Sequence, residues 1–190
     1  ETAAGATPVE AYVKDWGTDI EALLSAVTER TRVVIIANPN NPTGTWISKS
    51  ELARLRMGLR GDILLIIDAA YAEYMEDEAY SAGHDLVKAN QNVVVTRTLS
   101  KAYGLASARV GWAHMPGEIL DVVSRIKSVF PVTGPSQAAA VAALHDQDHV
   151  RKTVALNNRQ LPLFQKQLND RGIETPKVIG GNFVLGLFGA

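Results

Sequence analysis

VVIIANPNNPTG, residues 33–44, joins a run of apolar, mostly β-branched residues to a loop of asparagines, prolines, a threonine and a glycine. The run is apolar throughout, the pattern of a strand covered on both faces rather than one alternating between core and solvent. The arrangement recurs twice downstream. ILLIID (63–68) ends in a carboxylate, and NVVVT (92–96) leads into RTLSKAYGLASARVGW (97–112), where Lys101 stands between the apolar run and Gly104. Buried strands that each open into a polar loop imply an α/β fold, a mostly parallel sheet flanked by helices.

Working outward, VEAYV (9–13) reads as a strand, and Asp19 to Thr28 as a helix with Ile20, Leu23, Leu24 and Val27 on one face. Ser48 and Glu51 have capping-box spacing and open a helix through Leu59, which Gly61 ends. HDLVKAN (84–90) predicts a short helix and ARVGWAHM (108–115) a further strand. Pro116 and Pro135 each start a helix, the first to about Ser128 and the second to about His145. A long helical stretch from about His149 to Arg171 carries Pro162, where a kink or a break is expected. IETPKVI and GNFVLGLF predict two closing strands of different rhythm. They suggest a division into a domain over residues 1–160 and the beginning of a smaller α+β domain over 161–190.

The composition narrows the function. The chain has 190 residues, 46% hydrophobic and 21% charged, with a formal charge of −1, so nothing attracts it to nucleic acid or an anionic membrane. It has no cysteine, which removes disulfides and thiolate metal sites and fits the cytoplasm. The longest apolar runs are about five residues, far short of a membrane span.

Ligands of open α/β sheets bind beyond the carboxyl ends of the strands, which selects the loops 38–46, 68–74 and 97–109. The first holds Asn38, Asn40, Asn41, Thr43 and Gly44, the second Asp68 and Tyr71, and the third Thr98, Ser100, Lys101 and Arg109. That inventory suits pyridoxal 5′-phosphate. Its aldehyde is captured by a lysine amine, its protonated ring nitrogen needs a carboxylate, and its phenolic oxygen accepts from an amide or phenol. Its phosphate takes an arginine with short hydroxyl donors. Each of these residues has a blander reading by itself: Lys101 as a solvated loop lysine, Asp68 as a polar strand end, Tyr71 as packing under a helix. The pair of histidines in HDQDH (145–149) has metal-ligand spacing, but one helix ends and another begins there, so no metal site is expected. EYMEDE (73–78) reads as a solvated acidic loop.

Taken in order, NPNNPTG, DAAY and SKxxGLxxxRxG resemble the large domain of class I/II, fold-type I aminotransferases dependent on pyridoxal phosphate, and within them most nearly histidinol-phosphate aminotransferases. The resemblance implies that Lys101 is the Schiff-base lysine and the acid/base of the proton shift. It implies that Asp68 pairs with the pyridine nitrogen, that Asn41 and Tyr71 bind the phenolic oxygen, and that Thr98, Ser100 and Arg109 hold the phosphate. Gly44 and Gly111 stand as backbone-shape residues. The implied reaction exchanges histidinol phosphate and 2-oxoglutarate for imidazole acetol phosphate and glutamate, in a cytoplasmic homodimer whose partners are small molecules. Aromatic aminotransferases, threonine-phosphate decarboxylases and a non-catalytic fragment are the alternatives.

Departures from the family pattern bear on this. Ala69 stands where glutamate is usual, and SVFPV (128–132) where PFNV is usual, which alters the substrate side. Set against the resembled family, both ends of the fold are expected to lie outside this sequence, including the ring that stacks on the cofactor and the arginine for the substrate carboxylate. Taken alone, the chain is expected to leave apolar surface uncovered, to self-associate and to turn over little.

Overall fold

The computed structural model of the chain describes residues 2–188. Its centre is a four-stranded sheet in the order β3 (Val33–Ala37), β4 (Leu64–Asp68), β5 (Val93–Thr98), β6 (Gly111–His114). β3, β4 and β5 are parallel, and β6 runs antiparallel to β5. The mostly parallel α/β sheet expected from the apolar runs is the sheet observed.

One face of the sheet carries the core. Val34, Ile36, Leu65, Ile67, Val93 and Val95 alternate onto it, and helices α1 (Ile20–Ser25), α2 (Lys49–Gly58) and α3 (His84–Ala89) cover it with Ile20, Leu52, Leu55 and Val87. α2 starts where the sequence places it: Ser48 Oγ accepts from Glu51 N at 3.3 Å, and Glu51 Oε2 accepts from Ser48 N at 2.7 Å. Its last turn is tied down by Arg56, whose buried guanidinium donates to the carbonyls of Leu59, Arg60 and Ile63. That burial lowers the Arg56 pKa.

The opposite face is not covered in the same way. Val33 and Ile35 are 46% and 48% exposed, so β3 is a one-sided strand rather than the doubly covered one its composition suggests. An apolar run records what a strand can bury, and here no described helix lies over that end of the sheet. Helices α4 (Gly117–Ile126), α5 (Gly134–His145) and α6 (Gln147–Asn169) follow β6. α4 has no buried residue at all, although Leu120, Val123 and Ile126 share its apolar face.

Other expectations require correction. The segment 9–13 is not a strand of the sheet: only Val13–Lys14 (β1) is extended and paired, in a small antiparallel hairpin with Gly17–Thr18 (β2). The long helix α6 runs through Pro162 without a break. Proline removes one donor from the helix ladder, and the neighbouring turns on either side carry the helix past it. The closing segments IETPKVI and GNFVLGLF form no strands, only a single antiparallel bridge, Glu174 to Leu187. His145 ends α5 and His149 lies in the first turn of α6, so the two imidazoles share no helical face.

The asymmetry of the sheet can be tested by paired truncations. Leu65→Ala, on the fully buried face, is expected to cost about 2–5 kcal/mol of unfolding free energy in urea titrations. Ile35→Ala on the open face should cost only about 1 kcal/mol, because about half of its area stays in water on folding. Equal costs would contradict a one-sided sheet.

Candidate active site

The NPNNPTG loop is held by its own polar groups. Asn38 is buried, and its side-chain amide donates to the Ile47 carbonyl at 3.1 Å while its oxygen accepts from Ile47 N at 2.9 Å. Asn40 Nδ2 donates to Thr43 Oγ1 at 2.9 Å, and the Thr43 and Thr45 hydroxyls meet at 2.7 Å. Both Asn38–Pro39 and Asn41–Pro42 are cis. Gly44 has φ +73°, and a Cβ there would stand 3.1 Å from the Phe183 carbonyl oxygen and 3.2 Å from that of Gly180. With Asn38 and Asn40 engaged inside the loop, Asn41 reaches outward and donates to Tyr71 Oη at 3.0 Å.

Asp68 closes β4 on the open face of the sheet. Its Oδ1 accepts from Ala70 N at 3.2 Å and from Thr96 Oγ1 at 3.3 Å, while Oδ2 has no hydrogen-bond partner among the described residues. Thr96 lies directly beside it in the β4–β5 register. The carboxylate is exposed, oriented by one oxygen and free at the other. Tyr71 is buried, with its ring edge-on to Phe183 at a centroid distance of 4.8 Å.

The third loop brings Lys101 to this group. Lys101 Nζ lies 5.0 Å from the centroid of the Tyr71 ring and has no carboxylate within ion-pair distance among the described residues. Arg109 sits in the left-handed region at φ 54° and folds back over the loop, where its Nη1 donates to the Ala106 carbonyl at 2.8 Å and to Ser100 Oγ at 3.4 Å. Thr98 turns to the loop backbone: its hydroxyl accepts from Ser100 N at 3.1 Å and donates to the Val110 carbonyl at 3.4 Å. Gly111 is required on the next strand, since a Cβ there would come within 2.8 Å of the Arg97 carbonyl oxygen. Asn41, Tyr71 and Lys101 thus form one contact chain, and Ser100 with Arg109 another.

Several polar residues near this edge escape a reading of the sequence. EYMEDE is not wholly a solvated acidic loop, because the Glu73 side chain is only 11% exposed and accepts from Arg97 Nη2 at 2.5 Å. Arg97 Nη1 faces His84 Nε2 at 3.2 Å, and His84 Nδ1 faces His114 Nδ1 at 3.1 Å. Trp112 stacks on His84 and lies under the Arg97 guanidinium. Guanidinium has only donors, so His84 Nε2 must be the acceptor, its proton sits on Nδ1, and His114 Nδ1 accepts it. The available signal was Arg97 itself, a charge inside an apolar strand, which calls for a buried partner. Phe183 and the 180–183 segment were also missed. They pack on Tyr71, and Asn157 Nδ2 donates to the Gly181 carbonyl at 2.8 Å.

A mostly parallel α/β sheet thus gathers, among the described residues, an unpaired amine, an oriented carboxylate, a phenol–amide pair and a hydroxyl–guanidinium pair at one edge. The chain belongs to the aminotransferase class I and II family, whose model matches residues 2–188. It is 47% identical over 187 residues to a histidinol-phosphate aminotransferase of Erythrobacter litoralis, covering 97% of this chain and 51% of that protein. It is 49% identical over 189 residues to a histidinol-phosphate aminotransferase of Zymomonas mobilis, covering 97% and 50%. Among solved structures it is similar to a histidinol-phosphate aminotransferase from Sinorhizobium meliloti in complex with pyridoxal-5′-phosphate. That match has a TM-score of 0.79 and 32% identity, over 86% of this chain and 44% of the other. The chain spans about half the length of the curated relatives it matches.

The His84 network predicts a pH dependence. Burial lowers the His84 pKa from its ordinary 6.5, and the charges of Arg97 and His114 add to the effect. Asp85 opposes it and Lys88 reinforces it slightly. In the interval between the lowered value and 6.5, the unfolded chain binds a proton that the folded chain does not, so stability falls as pH drops through this window and is full above it. Melting temperature should therefore decline from pH 7.5 to pH 5.5, and His84→Gln should flatten that decline in circular-dichroism melts. An identical slope in the variant would refute the assignment.

Proposed function

We propose that this chain is the cofactor-binding part of a pyridoxal-phosphate-dependent aminotransferase acting on histidinol phosphate, with a keto acid such as 2-oxoglutarate as the other substrate. The observation that carries this reading is the Lys101 amine, free of acid partners among the described residues and beside the Asn41–Tyr71 pair, in the loop that follows the strand next to the one that ends in Asp68. The donor set fits the cofactor group by group: Asp68 keeps an unshared oxygen for a protonated ring nitrogen, and Arg109 and Ser100 stand together for a phosphate. When bound, pyridoxal phosphate supplies an aldehyde for an amine and a ring that spreads the charge left on a carbon when its proton departs.

The residues of the chain then have distinct tasks. Lys101 Nζ would hold the cofactor and would move the proton between the reacting carbons. The Asp68 carboxylate would accept from a protonated ring nitrogen and favour that form by its charge. Asn41 Nδ2 orients the Tyr71 hydroxyl at the phenolic edge. Ser100 and Arg109 fix the phosphate, with Thr98 shaping the turn that presents them. Histidinol phosphate as substrate is supported by the relatives' names and not by any residue of this chain, and SVFPV at 128–132 is where the substrate side departs from their pattern. A homodimer is supported by the exposed Ile126, Val129 and Phe130, while a division near residue 160 would fall inside the helix α6 and rests on the sequence pattern alone. Small-molecule partners are supported by the family and by the relatives' names.

Incubation with pyridoxal phosphate, borohydride reduction and peptide mapping test the reading. The label should fall on Lys101, and Lys101→Ala should abolish it while leaving the circular-dichroism spectrum intact. A label mainly on Lys88 or Lys127 would overturn the assignment. Arg109→Leu removes a charge-assisted phosphate contact and should weaken cofactor binding by about 10- to 100-fold in a fluorescence titration. Asp68→Asn in the complete protein should retain the cofactor and slow transamination by roughly 10²-fold or more, since an unprotonated ring is a poor electron sink. Transamination at the original rate would remove Asp68 from the site.

A further inference from the structure

Tyr71 and Lys101 come from different loops, and their separation has to be set by something other than the sheet ladder. The last backbone bond between the two strands is Ala69 N to the Thr96 carbonyl, at 2.9 Å. Beyond it, between residues 70–76 and 97–105, the hydrogen bond or ion pair found among the described residues is the one from Arg97 Nη2 to Glu73 Oε1. Glu73 lies two residues after Tyr71 in the 3-10 turn Ala72–Tyr74, and Arg97 four residues before Lys101 on β5. Apolar packing of Tyr71 and Tyr74 against Ala102 also joins the loops, but such contact is non-directional and permits sliding.

The pair is poorly arranged for stability alone. Glu73 Oε2 and Arg97 Nε are both buried without a hydrogen-bond partner, so the contact is a single bond where a two-pronged one is available to these groups. A buried ion pair with an orphan atom on each side recovers little of its desolvation cost. What it does supply is direction. Arg97 is held from three sides, by Glu73, by His84 Nε2 at 3.2 Å and by the Trp112 ring at 5.6 Å, so its side chain has one available pose.

We propose that the Glu73–Arg97 ion pair is a positioning brace, which sets the distance between the Tyr71 ring and the Lys101 amine from the side of the sheet opposite the reacting groups. Neither residue lies on the face of the sheet that carries Asp68: Arg97 shares the face of Val95 and Trp112, whereas Asp68, Thr96 and Thr98 lie on the other. The brace rests on the reading of Lys101 as the cofactor amine, and its removal should loosen Lys101 without unfolding the chain.

The test uses the 190-residue chain, pyridoxal phosphate as the probe and borohydride trapping, with label at Lys101 measured against label at the exposed Lys88. The wild-type ratio is read first. A ratio near one in wild type would defeat the cofactor reading of Lys101, whereas a high wild-type ratio leaves that reading standing and puts only the brace at risk. Two variants follow. Glu73→Gln with Arg97→Met removes both charges together, the kind of replacement buried pairs tolerate. Arg97→Lys keeps both charges of the pair but cannot hold Glu73 and His84 in the same geometry. With melting temperatures near wild type, the Lys101 to Lys88 ratio should fall about tenfold in the double variant and about threefold in Arg97→Lys. A role confined to stability would leave that ratio unchanged in a folded variant. An unchanged ratio in either folded variant overturns the brace. Loss of folding in both also overturns it, because the pair would then be part of the scaffold.

Discussion

The register of three parallel strands organises everything else. Ala37 lies beside Asp68, and Asp68 beside Thr96, so β3 and β4 leave the sheet at the same height while β5 runs on two residues, paired with β6, to Thr98. A parallel ladder with one strand shifted by a residue would invert its side chains between faces and carry Asp68 to the helix-covered side. The register is held by the side chains that fill the covered face: Leu65, Ile67, Val93 and Val95 are wholly buried against α2 and α3, and no shifted pairing keeps all four inside. The chemistry at the edge is thus fixed by hydrophobic contacts that never approach it.

What could be read from the sequence, and what could not, divides by distance along the chain. The capping box of α2 joins residues three apart, and the Asn38 closure of its loop spans nine, so local composition already describes them. Lys101 was legible because hydroxyls, glycine and arginine surround it within a dozen positions. The Glu73–Arg97 contact spans 24 residues and crosses from a loop that looks solvated to a strand that looks apolar. Nothing in either segment names the other. The closing segments failed for a different reason: their alternation is strand-like, but an extended segment becomes a strand only beside a partner, and one bridge is all that forms. Pro162 illustrates the reverse error, where a local rule overstates the cost of one lost bond in a helix of 23 residues.

α6 has a part that its position in the chain does not suggest. Asn157 and Asn158, adjacent on this helix, reach the Gly181 carbonyl, the Tyr74 carbonyl and Glu76 Oε2. Val150 and Val154, a turn or two earlier, pack with Tyr71 and Ala102. One helix therefore contacts the Tyr71 turn, the residue after Lys101 and the 180–183 segment. The NPNNPTG loop joins the same assembly through Gly44, whose carbonyl accepts from Gly180 N at 2.5 Å. The phenol of Tyr71 is consequently set between segments that lie more than a hundred residues apart.

The hydrogen bonds of β3 show where its backbone points. The Arg32 carbonyl accepts from Leu64 N, and Asn38 N donates to the Asp68 carbonyl, so the even-numbered residues of this strand face β4. Alternation in a parallel ladder turns the amides and carbonyls of Val33, Ile35 and Ala37 the other way, toward the outer edge of the sheet. They form a row of donors and acceptors at a repeat of roughly 6.6 Å, the spacing an incoming extended segment presents. Val33 and Ile35 also leave their side chains half in water, so among the described residues this edge has both polar groups and apolar area without a partner. In solvent alone that rim must be satisfied by water; beside another extended segment it is a ready template, and the growth direction of the sheet is already set by it.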